Sequence, residues 1–196
     1  MKDPTVPIID KIWSVKDKIP AESPTAIVGL ALSSNHTGNC SKLVEAIVRS
    51  CAVDYCVYHR ASIIFSNGFT IQGKVVAYEE RDFVMQLGVP ISTHEIIVPT
   101  PDRNKNITNT EGELYFALET VRSLPGENKS LLVVAEVIHM RRVVLTLRKL
   151  QREFPEIKIY WESVRAYNCY GTDTVQKRFL LPVLFLSYET LAILRS

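Results

Sequence analysis

The segment Leu131-Leu132-Val133-Val134-Ala135-Glu136-Val137-Ile138-His139-Met140-Arg141-Arg142 is an apolar run that ends in an acid, a histidine and two arginines. A run of this kind fits a strand buried on both faces, which requires a sheet with helices on both sides. Polar residues crowded where such a strand meets a helix start mark the edge at which ligands bind. With 196 residues, 46% of them hydrophobic, the chain has material for one domain with a real core.

The rest of the chain alternates in step with this reading. Ala26 to Leu32 is an apolar run closed by the polar stretch Ser33 to Asn39, and Lys42 to Val53 has helical spacing at Leu43, Ala46, Ile47 and Ser50. Ala61 to Phe65 is a second strand closed by Ser66-Asn67-Gly68, followed by a helix from Val75 to Leu87 that Gly88-Val89-Pro90 stops. Glu95 to Val98 gives a third strand, Pro99 to Thr108 a polar loop, and Thr110 to Ser123 a helix ended by Leu124-Pro125-Gly126. Leu131 to Ala135 is the fourth strand, Met140 to Phe154 its helix, and Ile157 to Trp161 a fifth strand. Strands alternating with helices of this length predict a three-layer α/β/α sandwich on a mostly parallel sheet of about five strands. The expected organisation is an N-terminal amphipathic arm, 1–24, docked on a single domain, 25–196, that includes a C-terminal helix.

A net charge of +2 on 22% charged residues gives no general reason to expect nucleic acid. Cys40, Cys51, Cys56 and Cys169 include no Cys-x-x-Cys pair, and the arm around Ile8, Ile9, Ile12 and Trp13 lacks the apolar core of a signal peptide. The expectation is a cytoplasmic protein with reduced, mostly packed thiols. Phe179 to Leu194 is the most apolar segment, but it is shorter than the roughly 20 residues of a spanning helix and contains Pro182, Ser187, Glu189 and Thr190. It reads as a buried terminal helix, with a homodimer contact as a candidate role, and no membrane span is expected.

In such a sheet the loops leaving the strand C-termini share one edge. The first, with His36, is a weak phosphate motif, having neither a Gly-x-Gly-x-x-Gly fingerprint nor a Walker lysine. Gly68 would let the backbone approach a ligand. In the third loop Arg103 and Lys105 could clamp a phosphate or carboxylate, while Thr110 with Glu113 matches a capping box. Glu136, His139 and Arg142 form the best constellation: 139 and 142 share a helical face, with histidine a candidate acid or base and arginine an anion ligand. Metal ligation by His36, Glu136 and His139 is conceivable, but no spacing matches a zinc pattern.

Taken in order, Gly29 in the first strand, Ser66-Asn67-Gly68, Gly88-Val89-Pro90, Thr108-Asn109-Thr110 with Glu113, His139-Met140-Arg141-Arg142 and Tyr188-Glu189 carry a likeness. From about Thr25 to Arg195 the chain resembles the bacterial family of unknown function that includes YdcF, SanA and ElyC. The resemblance implies a Rossmann-like fold and a site built from Ser66, Asn67 and Gly68, from Asn109 and Thr110, and from His139 and Arg142. YdcF is associated with S-adenosylmethionine, making that cofactor a candidate ligand; SanA and ElyC are associated with envelope integrity and lipid-carrier metabolism. This chain departs from the family at Asn67, at Val75-Val76 where an acid usually opens the helix, at Ile107, and at Ala135 and Glu136. Glu79, a turn beyond Val76, is a candidate replacement for the acid, although a surface glutamate explains it as well.

The leading expectation is an anionic small molecule, nucleotide-like or phosphorylated, bound by Ser66, Asn67, Gly68, Arg103, Asn109, Thr110, Glu136 and Arg142, with His139 as the candidate catalytic residue. A phosphoester hydrolase or transferase acting on an envelope precursor or a sugar or lipid phosphate is one alternative. A non-catalytic protein that assembles through its C-terminal helix is another.

Overall fold

The computed structural model describes residues 14–30, 42–59, 61–71, 73–104, 107 and 109–165. Strand β1 (Ala26–Leu30) leads to α1 (Lys42–Val57), β2 (Ser62–Phe65), a small antiparallel pair β3 (Thr70–Ile71) and β4 (Lys74–Val75), then α2 (Val76–Gln86) and β5 (Ile96–Ile97). The short α3 (Pro101–Asn104) precedes α4 (Thr110–Ser123), β6 (Ser130–Glu136), α5 (Val137–Leu150) and β7 (Lys158–Val164). The five-stranded sheet has the order β5-β2-β1-β6-β7 and all its pairings are parallel. This is the expected Rossmann-like α/β architecture.

Strand alternation sorts the core into two faces. Ile27, Ile63, Phe65, Leu132 and Val134 pack under α1 and α2, while Val28, Ile64, Leu131, Val133 and Ala135 pack under α4 and α5. The chain winds outward from β1 to β2 and β5, then returns to β6 on the other side of β1 and continues to β7. The winding therefore reverses between β1 and β6, and the crevice above their C-terminal ends is the topological switch point at which such folds bind ligands.

Several boundaries differ from expectation for local reasons. Helix α5 begins at Val137 rather than Met140, because Glu136 caps it directly at the end of β6. It ends at Leu150, and Phe154 follows in a turn. Strand β7 runs on to Val164, and β5 shrinks to two residues behind a 3-10 turn, Thr93–Glu95. Helix α1 extends to Val57, whereas α2 stops as expected, with Gly88 at φ +70° beyond its last turn.

At the outer edge, Lys18 bridges antiparallel to Trp161, and the Trp161 indole donates to Lys16 O at 3.0 Å. This part of the N-terminal arm covers an edge strand that would otherwise present unpaired backbone groups. Among the described residues no helix is long and apolar enough to cross a membrane. The expected terminal helix Phe179 to Leu194, the loop Ser33 to Asn39, Lys105, Thr108, Cys40 and Cys169 lie outside the described residues. Of the expected mostly packed thiols, Cys51 is buried and Cys56 is exposed on α1.

At Gly29 the sheet packs tightly against α1. A Cβ there would lie 3.0 Å from Cys51 Sγ, 3.2 Å from Ile47 and 3.3 Å from Phe65. Gly29→Ala is therefore expected to cost about 1–3 kcal/mol through overpacking, measurable as a lower urea midpoint at unchanged m-value.

Candidate functional site at the strand C-termini

The β6–α5 junction fixes the first part of the site. Glu136 Oε2 accepts hydrogen bonds from the backbone N–H groups of Ile138 at 2.7 Å and His139 at 3.3 Å. Its charge also complements the positive end of the helix dipole. The expected ligand residue Glu136 is thus committed through this oxygen to starting the helix, and its carboxylate sits where a ligand anion would otherwise meet the α5 N-terminus. The other two candidate side chains of α5 lie further along the helix. His139 is buried at 2% exposure, and Arg142, three residues on, projects from the same helical face.

Arg142 Nη2 donates to Thr110 Oγ1 at 2.8 Å, joining α5 to the first turn of α4. The capping box expected of Thr110 and Glu113 is not what forms. Asn109 is the cap, its Oδ1 accepting from Gly112 N at 2.8 Å. Thr110, already inside the helix, is left to orient the guanidinium. Glu113 is buried beside it on the same face as Leu114 and Ala117.

Ser66-Asn67-Gly68 leaves the end of β2. The Asn67 carbonyl accepts from Ala77 N at 3.1 Å and the Phe69 carbonyl from Val76 N at 2.9 Å, so the loop satisfies the first donors of α2. Asn67 Oδ1 also accepts from Phe69 N at 3.2 Å. Gly68 is half-buried between them. Ser66 is fully buried, and its Oγ has no hydrogen-bond partner among the described residues.

Two acids complete the arrangement. Glu80 of α2 is 1% exposed and Glu113 of α4 is 6% exposed. Burial pushes the Glu80 carboxyl well above the ordinary carboxylate range, and the neighbouring Glu113 and Glu79 push it further. Burial likewise pushes Glu113 up to about 8, against the opposing pull of Arg142. Glu79, the candidate replacement acid, instead pairs with Lys74 at 3.6 Å. Glu80 escaped notice because Glu79-Glu80-Arg81-Asp82 reads as a solvated charge run. Its register does signal burial, since it lies three residues from Ala77 and four from Val84, both buried on the inner face of α2.

Arg103 does not join this group. It is exposed and lines a groove of about 420 Å³ with Ile107, Glu111, Tyr115 and Glu119. Those α4 residues point away from the face that carries Thr110 and Glu113. Among the described residues no group of three or more His, Cys, Asp or Glu side chains is placed to hold a metal ion.

Comparison with protein-family models, with curated proteins and with solved structures finds no match.

A second acidic pair lies between α1 and β7. Burial, then Glu162, pushes Asp54 from 3.8 up to about 7, and Cys51 on α1 and Tyr58 just beyond it share its surroundings. The folded state favours protonated Asp54. Its contribution to stability is thus full below about 3.8 and is lost as pH rises through about 7. Asp54→Asn is expected to reduce the fall in urea midpoint between pH 5 and pH 8; an equal fall in parent and variant would remove Asp54 from the account.

Proposed function

We propose that this chain is a divergent member of the family that includes YdcF, SanA and ElyC and binds a phosphorylated or nucleotide-like small molecule at the C-terminal edge of the sheet. S-adenosylmethionine is among the candidate ligands. The observation that carries the reading is Arg142, hydrogen-bonded to Thr110, set among the buried polar groups of three strand exits around the switch point. Arginine presents a rigid fork of donors suited to phosphate and carboxylate. His139 supplies a second polar group on the same face, and the loop around Ser66 and Asn67 walls the crevice from the β2 side. The proposed setting is the cytoplasm, where the Cys51 and Cys56 thiols stay reduced.

A phosphoester hydrolase or transferase is the second reading, favoured by Glu113. A buried carboxyl pushed up to about 8 is suited to general-acid work near neutral pH, alongside His139. Turnover of a phosphoester that persists undiminished in His139→Ala would exclude that histidine from such a mechanism.

The binding reading is tested by thermal shift with S-adenosylmethionine, nucleotides, sugar phosphates and polyprenyl phosphates. A ligand at about 100 times its dissociation constant adds roughly 2.7 kcal/mol, on the order of 5 to 10 °C for a chain of this size. Silence across all four classes would overturn it.

A further inference from the structure

We propose that Glu80 and Glu113, with the hydroxyl of Ser66, hold a hard divalent cation of the Mg²⁺ class that binds together with the ligand's phosphate, next to Arg142. The inference rests on the anion site proposed above and specifies what accompanies the anion.

Three elements carry these oxygens. Glu80 comes from α2, on the sheet face that α1 also covers, and Glu113 comes from α4 on the opposite face. The two carboxyls are close enough for Glu113 to be the leading charged neighbour of Glu80. Ser66 directly follows the last residue of β2. In the alternation of that strand Ile63 and Phe65 face α1 and α2 whereas Ile64 faces α4, so Ser66 continues on the α4 side, toward Glu113.

The bonding of these groups is incomplete. Glu80 Oε2 and Ser66 Oγ are buried with no hydrogen-bond partner among the described residues, and neither glutamate forms an ion pair there. Native interiors rarely leave such oxygens unsatisfied without an ion, a water or a ligand to receive them. Two neighbouring buried carboxyls favour either a proton or a cation between them.

The donor set selects the cation. Carboxylates and a hydroxyl are hard oxygen ligands, and neither histidine nor thiolate is contributed, which disfavours zinc and copper. Mg²⁺ characteristically takes one or two carboxylates and completes its shell with water and substrate phosphate. Fewer than three acidic side chains therefore suffice, provided that the phosphate is present. Because Arg142 neighbours Glu113, the cation and the guanidinium would share one phosphate.

Mn²⁺ is the probe, with free Mn²⁺ read by electron paramagnetic resonance in titrations of the full chain with inorganic phosphate present. The parent is expected to bind Mn²⁺, Glu80→Gln and Glu113→Gln to bind it about tenfold or more weakly, and Glu79→Gln to match the parent. Calorimetry with inorganic phosphate should show affinity about tenfold higher when Mg²⁺ is added. A parent that binds no Mn²⁺ with phosphate present overturns the inference, as does equal binding by the parent and both glutamine variants at 80 and 113. Phosphate bound equally well with and without Mg²⁺ also overturns it while leaving the anion site intact, with the protonated acids as its donors. No phosphate binding under either condition overturns the cation site and counts against the anion site as well. Melting curves identify any variant that has not folded, in which case the parent titrations decide.

Discussion

Arg142→Ala is expected to weaken binding of the anionic ligand by about 2–5 kcal/mol, roughly 30-fold or more. The guanidinium is held by Thr110 Oγ1 at 2.8 Å, so its position is set before a ligand arrives. Truncation removes the charge and the oriented donors together. Arg142→Lys should recover only part of the loss, because an ammonium restores charge but not the planar fork. The folded state gives up a charge-assisted hydrogen bond worth about 1.5–3 kcal/mol, so affinities are compared by calorimetry on variants shown to be folded. Parent-like affinity in Arg142→Ala would mean that the anion is held elsewhere.

Phe154→Ala should do the reverse, costing about 3–5 kcal/mol of stability while leaving ligand affinity near that of the parent. The ring is 1% exposed and lies edge-on to Tyr115, with centroids 5.4 Å apart and planes at 75°. The Arg122 guanidinium covers it at 4.7 Å. Gln151 Nε2 donates to the carbonyls of Phe154 and Ile157, so the turn into β7 is fixed around this side chain. Phe154 follows the far end of the 14-residue helix α5, about 20 Å along the helix from its site-bearing first turn. A Phe154→Ala protein with an unchanged denaturation midpoint would contradict the packing account.

Much of the fold was legible because burial on both faces leaves an uninterrupted apolar run, as in β1 and β6, and because Gly88-Val89-Pro90 stops a helix by local stereochemistry. The boundary of α5 was misplaced since Val137 and Ile138 suit a strand as well as a helix; the Glu136 cap decides between them. Half of the candidate site was visible as a spacing, in His139 and Arg142. The other half depends on tertiary approach. Thr110 and Glu113 fit a capping box in sequence, yet Asn109 takes the cap and frees both for the interior. Glu80 hides in a charge run, and only the register of α2 against the sheet turns it inward. Arg103 reads as a loop cation able to clamp an anion, but it faces a different groove.

The most direct measurement is the map of backbone amide shifts as inorganic phosphate, and then any ligand found by thermal shift, is titrated into isotope-labelled protein. The account predicts saturable shifts concentrated at Ser66 to Gly68, Asn109 to Glu113 and Glu136 to Arg142, with little change along β7 or around Phe154. Shifts centred on the groove of Arg103, Tyr115 and Glu119, or none at any concentration, would contradict a ligand site at the β1–β6 switch point.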